Sequence, residues 1–178
     1  LGYKFSIVVA DIDETAHFNE SAEDYVLRLA LQKSQAIYDQ LPATKQVDTI
    51  VLGADTCVVC EGKILGKPAD EEQCIATLGQ LSGQTHQVLT SIVAVSADLV
   101  LKKLVSTQVS FKPLATVEIQ RYWQTGEPCD KAGSYAIQGI GGQFVTNING
   151  SYSAVVGLPL YETSQMLAKL GLPTTMSS

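Results

Sequence analysis

Apolar and polar residues alternate along the chain with two different periods, and each period predicts one kind of element. From Ser21 to about Leu41 the apolar residues recur at helical spacing, and Ser21 with Asp24 has the form of a capping box, so we expect a long helix. The same spacing predicts shorter helices over residues 70–81, 116–125 and 160–170. Runs of β-branched and other apolar residues predict strands over residues 3–10, 47–54, 85–97 and 100–111.

Two segments have the pattern of a β-hairpin. A two-residue turn at 61–62 pairs Cys60 with Lys63, and the register then places Thr56 opposite Lys67. A second hairpin is predicted around a turn at 149–150, with arms over residues 144–148 and 151–156. Together these elements predict an α/β domain with a mixed sheet, flanking helices and two lobes around a cleft.

Acidic and basic side chains fall near the ends of the predicted elements. Asp55 follows the strand over 47–54, where ligand sites of α/β sheets usually lie. The long loop over 127–142 is rich in glycine, and loops of this length are usually functional. Carboxylates can hold Mg²⁺ or Mn²⁺ and activate water, and ammonium groups can stabilise phosphoryl oxygens. The candidates are the acids Glu14, Asp55 and Asp130, the lysines Lys33, Lys67 and Lys131, and the amide Gln138.

Two of these candidates have an ordinary structural alternative. The acidic segment around Glu14 can be a solvated loop, and Lys33, which interrupts the apolar stripe of its helix, can extend past the core into solvent. The functional alternative places the Lys33 ammonium in a cleft, against an anion.

Composition limits the classes of protein. The chain has 178 residues, 46% of them apolar, and a formal charge of −6, which suits one domain with its own core. Because no cluster of Lys and Arg occurs, we expect no nucleic-acid partner. No apolar run approaches the ~20 residues that span a bilayer, so we expect no membrane partner and a cytoplasmic protein.

Several longer motifs resemble the Maf family of nucleoside triphosphate pyrophosphatases, also described as septum-formation inhibitors. The motifs follow one another in order over about residues 11 to 160, and that resemblance implies a Maf/inosine-triphosphatase-like fold in a single domain. They include Asp11-Ile-Asp-Glu14, Gly53-Ala-Asp-Thr56, Gly66-Lys-Pro68, Asp130-Lys-Ala-Gly-x-Tyr135, Ile137-Gln-Gly139 and Asn149-Gly-Ser-Tyr152.

The resemblance also implies a reaction and residue roles. Family members hydrolyse a nucleoside triphosphate to the monophosphate and pyrophosphate with a divalent metal, Mg or Mn. By resemblance, Asp55 is the proton acceptor and holds metal together with Glu14. Lys33 and Lys67 match positions that serve metal, water or phosphate, and we expect them to bind the substrate.

The substrate subgroup follows from two positions. Thr56 and Gln138 match the members that act on dTTP and UTP, and a Gln amide can pair with the imide edge of thymine or uracil. We therefore expect dTTP, UTP or modified pyrimidine nucleotides as substrates, and a homodimer is considered as the assembly.

Two other functions and one departure from the family accompany this interpretation. The alternatives are a non-catalytic nucleotide-binding regulator of cell division, and a house-cleaning pyrophosphatase of the inosine-triphosphate kind that prefers purines. Family members begin with a strand and a Ser-x-Arg-Arg loop that binds phosphate, and this sequence starts after that point. We expect a fragment of a longer chain rather than a loss of the loop.

Overall fold

The computed structural model describes residues 1–174 and residue 176. Within them lie six α-helices, namely α1 (Ala22–Asp39), α2 (Ala43–Gln46), α3 (Glu71–Leu81), α4 (Thr116–Trp123), α5 (Tyr152–Val156) and α6 (Leu160–Lys169). Five strands are described over the same residues: β1 (Val51–Cys60), β2 (Lys63–Leu65), β3 (Thr85–Val95), β4 (Val100–Phe111) and β5 (Val145–Asn149). Three short 3₁₀ helices follow α4, at Glu127–Asp130, Ala132–Ser134 and Ile140–Phe144. In the described part of the chain, no helix is long and apolar enough to cross a membrane.

The strands form one sheet in the order β2-β1-β3-β4-β5. β1 and β2 are antiparallel with Cys60 opposite Lys63, which confirms the predicted register of the first hairpin. The turn between them has positive φ at both Glu61 and Gly62, as two-residue hairpin turns with matching twist require. β4 and β5 are also antiparallel and their register shifts at a bulge beside Ser110. The mixed α/β class is confirmed.

Contacts divide the chain into two compact units. The first comprises residues 1–55, 90–104 and 157–178, and the second comprises residues 56–89 and 105–156. In the first, one cluster forms around Ala30, Val93 and Val95 and another around Ile92, Ala94 and Met166. The second unit has a larger core in which aromatic rings meet edge to face, with Phe111, Tyr122, Tyr135 and Phe144 among them.

The predicted strand over residues 3–10 is wrong. Residues Tyr3 to Ala10 form neither helix nor strand, and Phe5, Ile7 and Val9 are exposed, with Val9 at 87%. A strand is stable only when a neighbouring strand takes its backbone hydrogen bonds, and none of the described strands pairs with these residues. The β-branched pattern of residues 3–10 therefore does not produce a strand, because no described strand pairs with these residues.

Two other strand predictions need correction. The strand predicted over 47–54 begins only at Val51 and continues to Cys60, so Asp55 lies inside β1 instead of following its end. β1 is paired with both β2 and β3, and these ladders carry it past Asp55. The predicted second arm over 151–156 is the helix α5, because the Ser151 hydroxyl accepts a hydrogen bond from the Ala154 N–H and β5 pairs with β4 instead.

Candidate active site

A charged cluster in the first unit joins three of the predicted site residues. The Lys33 ammonium lies 2.6 Å from Glu14 Oε1 and 2.7 Å from Asp55 Oδ1. Burial alone would lower the pKa of Lys33, but the hydrogen bonds to Asp55 and Glu14 outweigh it and raise that pKa. Lys33 is therefore a cation at neutral pH and is held between two carboxylates instead of extending into solvent. We call these three residues the lysine cluster.

A glycine lets the lysine cluster form. A Cβ atom at Gly53 would lie 2.5 Å from the Ala30 carbonyl oxygen and 2.9 Å from the Ser34 nitrogen, both in the backbone of α1. Only a residue without a side chain allows β1 to approach α1 this closely. The approach brings Lys33, one turn further along α1, within hydrogen-bonding distance of Asp55 in β1.

The segment that carries Glu14 is irregular and is held by α1. Tyr25 donates a hydrogen bond to the Glu14 carbonyl, and Arg28 donates to the Thr15 carbonyl and to both carboxylate oxygens of Glu20, at 2.6 and 2.7 Å. The Arg28 hydrogen bonds lower the pKa of Glu20 to about 2. We call Tyr25 and Arg28 the arginine anchor, and its effect is to fix residues 14–20 beside the helix that carries Lys33.

A pocket in the second unit contains the remaining predicted residues. Its volume is about 200 Å³, and its polar lining includes Thr56, Lys67, Lys131 and Gln138. Apolar side chains complete the lining, with Val58, Val88, Ile137, Val155 and Val156 among them. The β1–β2 pairing ends at Val58 and Leu65 and does not extend to the expected pair of Thr56 and Lys67. Thr56 and Lys67 nevertheless line the same pocket.

Local contacts fix the wall of this pocket. The Gly133 N–H donates to the Gly66 carbonyl, and a Cβ atom at Gly133 would lie 2.8 Å from the side chain of Val58. Lys131 lies 2.8 Å from Asp130, and this hydrogen bond lowers the pKa of Asp130. These contacts attach the residue before Lys67 to the loop that carries Lys131.

A buried histidine lies beneath the same loop. His86 Nε2 and the Tyr135 hydroxyl are 2.8 Å apart, and the two rings meet edge to face. Because His86 is only 3% exposed, burial lowers its pKa to about 4. The imidazole is therefore neutral at pH 7, and we assign it a packing role.

The lysine cluster contains two carboxylates, which are of the ligand type that a divalent metal prefers. Glu14 and Asp55 present carboxylate oxygens to one shared cation, the ammonium of Lys33. The described residues contain no group of three or more His, Cys, Asp and Glu side chains suited to a metal. Mg²⁺ is often held by one or two carboxylates together with water and substrate phosphates. The two carboxylates of Glu14 and Asp55 are compatible with such an ion.

The family is decided by comparison with known proteins. A family model described as Maf-like protein matches residues 1–170. The chain belongs to the Maf family. A protein of Colwellia psychrerythraea named dTTP/UTP pyrophosphatase is 61% identical over 171 residues, which cover 96% of this chain and 81% of the relative.

Two other relatives have the same printed name. One from Vibrio parahaemolyticus is 53% identical over 167 residues, covering 94% of this chain and 86% of the relative. One from Pseudoalteromonas atlantica is 53% identical over 172 residues, covering 97% of this chain and 89% of the relative. The resemblance to the Maf family that the sequence motifs indicated is confirmed.

Sequence reasoning assigned no role to the residues that hold the candidate site residues in place. Tyr25 and Arg28 lie in a segment that resembles the Maf family, Tyr25-Val-x-Arg-Leu-Ala-x-x-Lys33, but their hydrogen bonds were not predicted. Glu127, whose carboxylate accepts hydrogen bonds from the backbone N–H groups of Ile140 and Gly141, was not identified. Apolar periodicity carries no information on such bonds. One signal was present in the sequence. The acid Glu127 precedes a segment with three glycines, at 139, 141 and 142, where the absence of side chains leaves the backbone N–H groups accessible.

Proposed function

We propose that this Maf protein is a nucleoside triphosphate pyrophosphatase that acts on dTTP and UTP. The observation that carries the proposal is the pocket in which Thr56, Lys67 and Gln138 meet, in a chain whose relatives are named dTTP/UTP pyrophosphatase. Those names support the catalytic interpretation over a non-catalytic regulator, and pyrimidine substrates over purines.

Asp55 is the proposed proton acceptor. A water molecule attacks the triphosphate, the anhydride bond between the α and β phosphates breaks, and pyrophosphate leaves with the bonding electrons. The carboxylate of Asp55 takes the proton of the water, and the Lys33 ammonium, 2.7 Å away, orients that carboxylate. A divalent metal bound by Glu14 and Asp55 would neutralise part of the phosphate charge.

The pocket in the second unit is the proposed site for the nucleotide. Lys67 and Lys131 line the pocket, and their ammonium groups can attract phosphate oxygens. Gln138 offers an amide N–H₂ and a carbonyl oxygen, which match the acceptor and donor of the imide edge of thymine and uracil. Thr56 adds a hydroxyl that can donate or accept.

We propose that the protein is located in the cytoplasm, because these nucleotides are made there. We also propose that it forms a homodimer, which light scattering would test.

A substrate panel tests the reaction and its selectivity. Pyrophosphate release is measured from dTTP, UTP, CTP, ITP and 7-methyl-GTP with Mg²⁺ or Mn²⁺. We expect dTTP and UTP to be the best substrates. Preference for ITP would indicate the purine house-cleaning reaction, and nucleotide binding without pyrophosphate release would indicate a regulator.

The role of Asp55 is tested by Asp55→Asn. Loss of a general base typically costs about 10² to 10⁴ in rate, so this variant should fold and lose nearly all turnover of dTTP. Asp48→Asn is the matched control, because Asp48 is exposed and lies just before β1. A rate for Asp55→Asn within a few-fold of the parent would show that another group accepts the proton.

A further inference from the structure

A buried tyrosine and a half-buried glutamate in the second unit form a polar pair in contact with the loop that carries Gln138. Tyr122 is 3% exposed, and its hydroxyl donates to Glu127 Oε1 at 2.7 Å. The same hydroxyl accepts a hydrogen bond from the Ala136 N–H at 3.1 Å. Glu127 accepts from the N–H groups of Ile140, at 2.8 Å, and Gly141, at 2.9 Å. We call Tyr122 and Glu127 the glutamate anchor.

The hydrogen bonds of the glutamate anchor lie on both sides of Gln138. Ala136 precedes Gln138 by two residues, and Ile140 follows it by two. Between them, the Gly139 N–H donates to the Ala136 carbonyl and closes a turn. Both ends of the turn that carries Gln138 are therefore tied to one pair of side chains.

The backbone of this turn leaves room for the carboxylate. A Cβ atom at Gly139 would lie 2.3 to 2.6 Å from the carboxyl atoms of Glu127, and one at Gly141 would lie 2.6 Å from the Tyr122 hydroxyl. Gly139 has φ −113° and ψ −150°, which other residues can adopt, so glycine is needed there for space. The turn and the anchor fit each other closely.

The charge of Glu127 suits this role at neutral pH. Burial alone would raise its pKa, but the backbone N–H groups of Gly141 and Ile140 and the Tyr122 hydroxyl outweigh it and lower the pKa. Glu127 is thus a carboxylate, and a carboxylate can accept all three of these hydrogen bonds.

Gln138 itself has little side-chain packing to orient it. The residue is exposed, whereas its neighbours Ala136 and Ile137 are buried. The direction of its amide thus depends on the backbone of the turn. Discrimination between bases by one amide requires that the amide be held in place, because a displacement of about 1 Å forfeits much of the interaction.

We propose that Glu127, acting with Tyr122, is a positioning residue that sets nucleobase selectivity by fixing the turn that carries Gln138. The proposal rests on the proposed function, because it takes Gln138 as the group that recognises the base. It extends that function to a residue pair that is not among the lining residues of the pocket and contacts the turn instead.

The main experiment is Glu127→Gln, with Glu118→Gln as the matched control. Glu118 lies in the same unit, and its carboxylate pairs with Lys112 at 2.5 Å instead of with the turn over residues 136–142. An amide at 127 has one accepting oxygen and an N–H₂ donor in place of the second oxygen, so at least one backbone N–H loses its partner. We expect the preference for dTTP over CTP, as a ratio of kcat/KM, to fall at least ten-fold, mainly through a higher KM for dTTP. Glu118→Gln should keep the parent ratio.

Gly139→Ala is a second variant that leaves Glu127 intact. Its methyl group would displace the carboxylate from the turn, so selectivity should fall as in Glu127→Gln. Gly79→Ala is its control, since a Cβ atom at Gly79 has nothing within 4 Å. If Glu127→Gln does not fold, Gly139→Ala and Tyr122→Phe carry the test.

Two readouts that do not need turnover complete the experiment. Hydrogen exchange of a peptide spanning residues 136–142 should be at least ten-fold faster in Glu127→Gln than in the parent, while exchange in α3 should be unchanged. Calorimetry should show that the variant binds dTTP and CTP with more similar dissociation constants than the parent does. Parent protein that binds dTTP selectively without hydrolysing it would refute the proposed function, while the binding ratio still tests the anchor. Unchanged exchange, or faster exchange with unchanged selectivity, would overturn the inference.

Discussion

Two segments of the Maf chain have little regular structure, and each carries residues of the proposed site. Residues 1–20 contain Glu14 and include only a turn near Phe18, whereas residues 127–144 contain Gln138 and three 3₁₀ helices. Apolar side chains of the first segment, such as Phe5, are exposed, while Phe144 in the second is fully buried. The apolar side chains of the two segments are therefore packed to different extents.

Both segments are nevertheless held by hydrogen bonds from a charged side chain and a tyrosine, and the two charged side chains, Arg28 and Glu127, have opposite sign. The arginine anchor donates hydrogen bonds to carbonyl groups and to Glu20, and the glutamate anchor accepts hydrogen bonds from N–H groups. In each, a tyrosine adds a further hydrogen bond. A charged side chain can thus replace the ladder of a sheet by giving irregular backbone its hydrogen-bond partners. The arginine anchor fixes residues 14–20, whereas in residues 1–10 the Tyr3 hydroxyl donates a hydrogen bond to the Leu172 carbonyl.

The largest expected difference between the segments is their response to acid. The folded pKa of His86, about 4, lies below its ordinary value of 6.5, so burial of the neutral ring stabilises the protein fully above pH 6.5. As the pH falls from 6.5 to 4, the unfolded chain binds the proton first and this contribution is lost. At 1.36 kcal/mol per pKa unit the loss is about 3 kcal/mol.

Thermal melting between pH 7 and 4 measures this loss, and hydrogen exchange corrected for pH locates it. Protection of residues 127–144, which include Tyr135, should fall first. His86→Gln should flatten the profile, and His17→Gln, an exposed control, should leave it unchanged. A profile that His86→Gln does not alter would show that other groups control acid sensitivity.

The next largest effect concerns the base. Gln138→Glu replaces the N–H₂ donor by an acceptor, so the group that should meet a thymine or uracil carbonyl is lost. The expected change is about 1 to 3 kcal/mol, or one to two decades in discrimination, with little change in melting temperature because Gln138 is exposed. An unchanged nucleotide profile in pyrophosphate release would place base recognition elsewhere in the second unit.

A smaller effect is expected from the arginine anchor, and it should differ in kind. Arg28→Met removes the hydrogen bonds to Glu20 and Thr15, so Glu14 loses its fixed position beside Lys33. Loss of such a supporting contact typically costs 10- to 100-fold, and we expect about ten-fold for dTTP and UTP alike. Arg121→Met, which changes an exposed arginine in α4, is the control. A shift in the preference between bases would contradict the separate roles of the two anchors.

Local elements of this fold could be predicted from the sequence because their determinants are local. The apolar spacing and cap of α1 lie within one segment, and the Ser21 hydroxyl does accept from the Asp24 N–H. The register of the β1–β2 hairpin follows from a two-residue turn. The strand over 3–10 was predicted wrongly because strand pairing depends on distant partners.

The candidate site was predictable in part. Asp55 and Lys33 are 22 residues apart; the sequence offered both as charged candidates, and the structure shows their contact. Gly53 was noticed as a motif residue, but the reason for it, the approach of α1, is visible only in three dimensions. The two anchors join side chains to backbone atoms, and neither apolar periodicity nor the family motifs reveal such bonds.

The smallest effect, an acid response of the first segment, completes the comparison. Arg28 holds the folded pKa of Glu20 at about 2, below its ordinary value of 4.5, so the carboxylate stabilises the protein above pH 4.5. That contribution declines as the pH falls from 4.5 toward 2, a lower window than that of His86. Glu20→Gln should therefore leave the shape of the plot of melting temperature against pH almost unchanged between pH 7 and 5. The same variant should remove the acid sensitivity of residues 14–20 below pH 4.5. Hydrogen exchange of that segment at pH 5 and pH 3 measures it, with Glu23→Gln as control. Equal acid sensitivity in Glu20→Gln and the parent would mean that the Arg28–Glu20 contact does not hold the first segment.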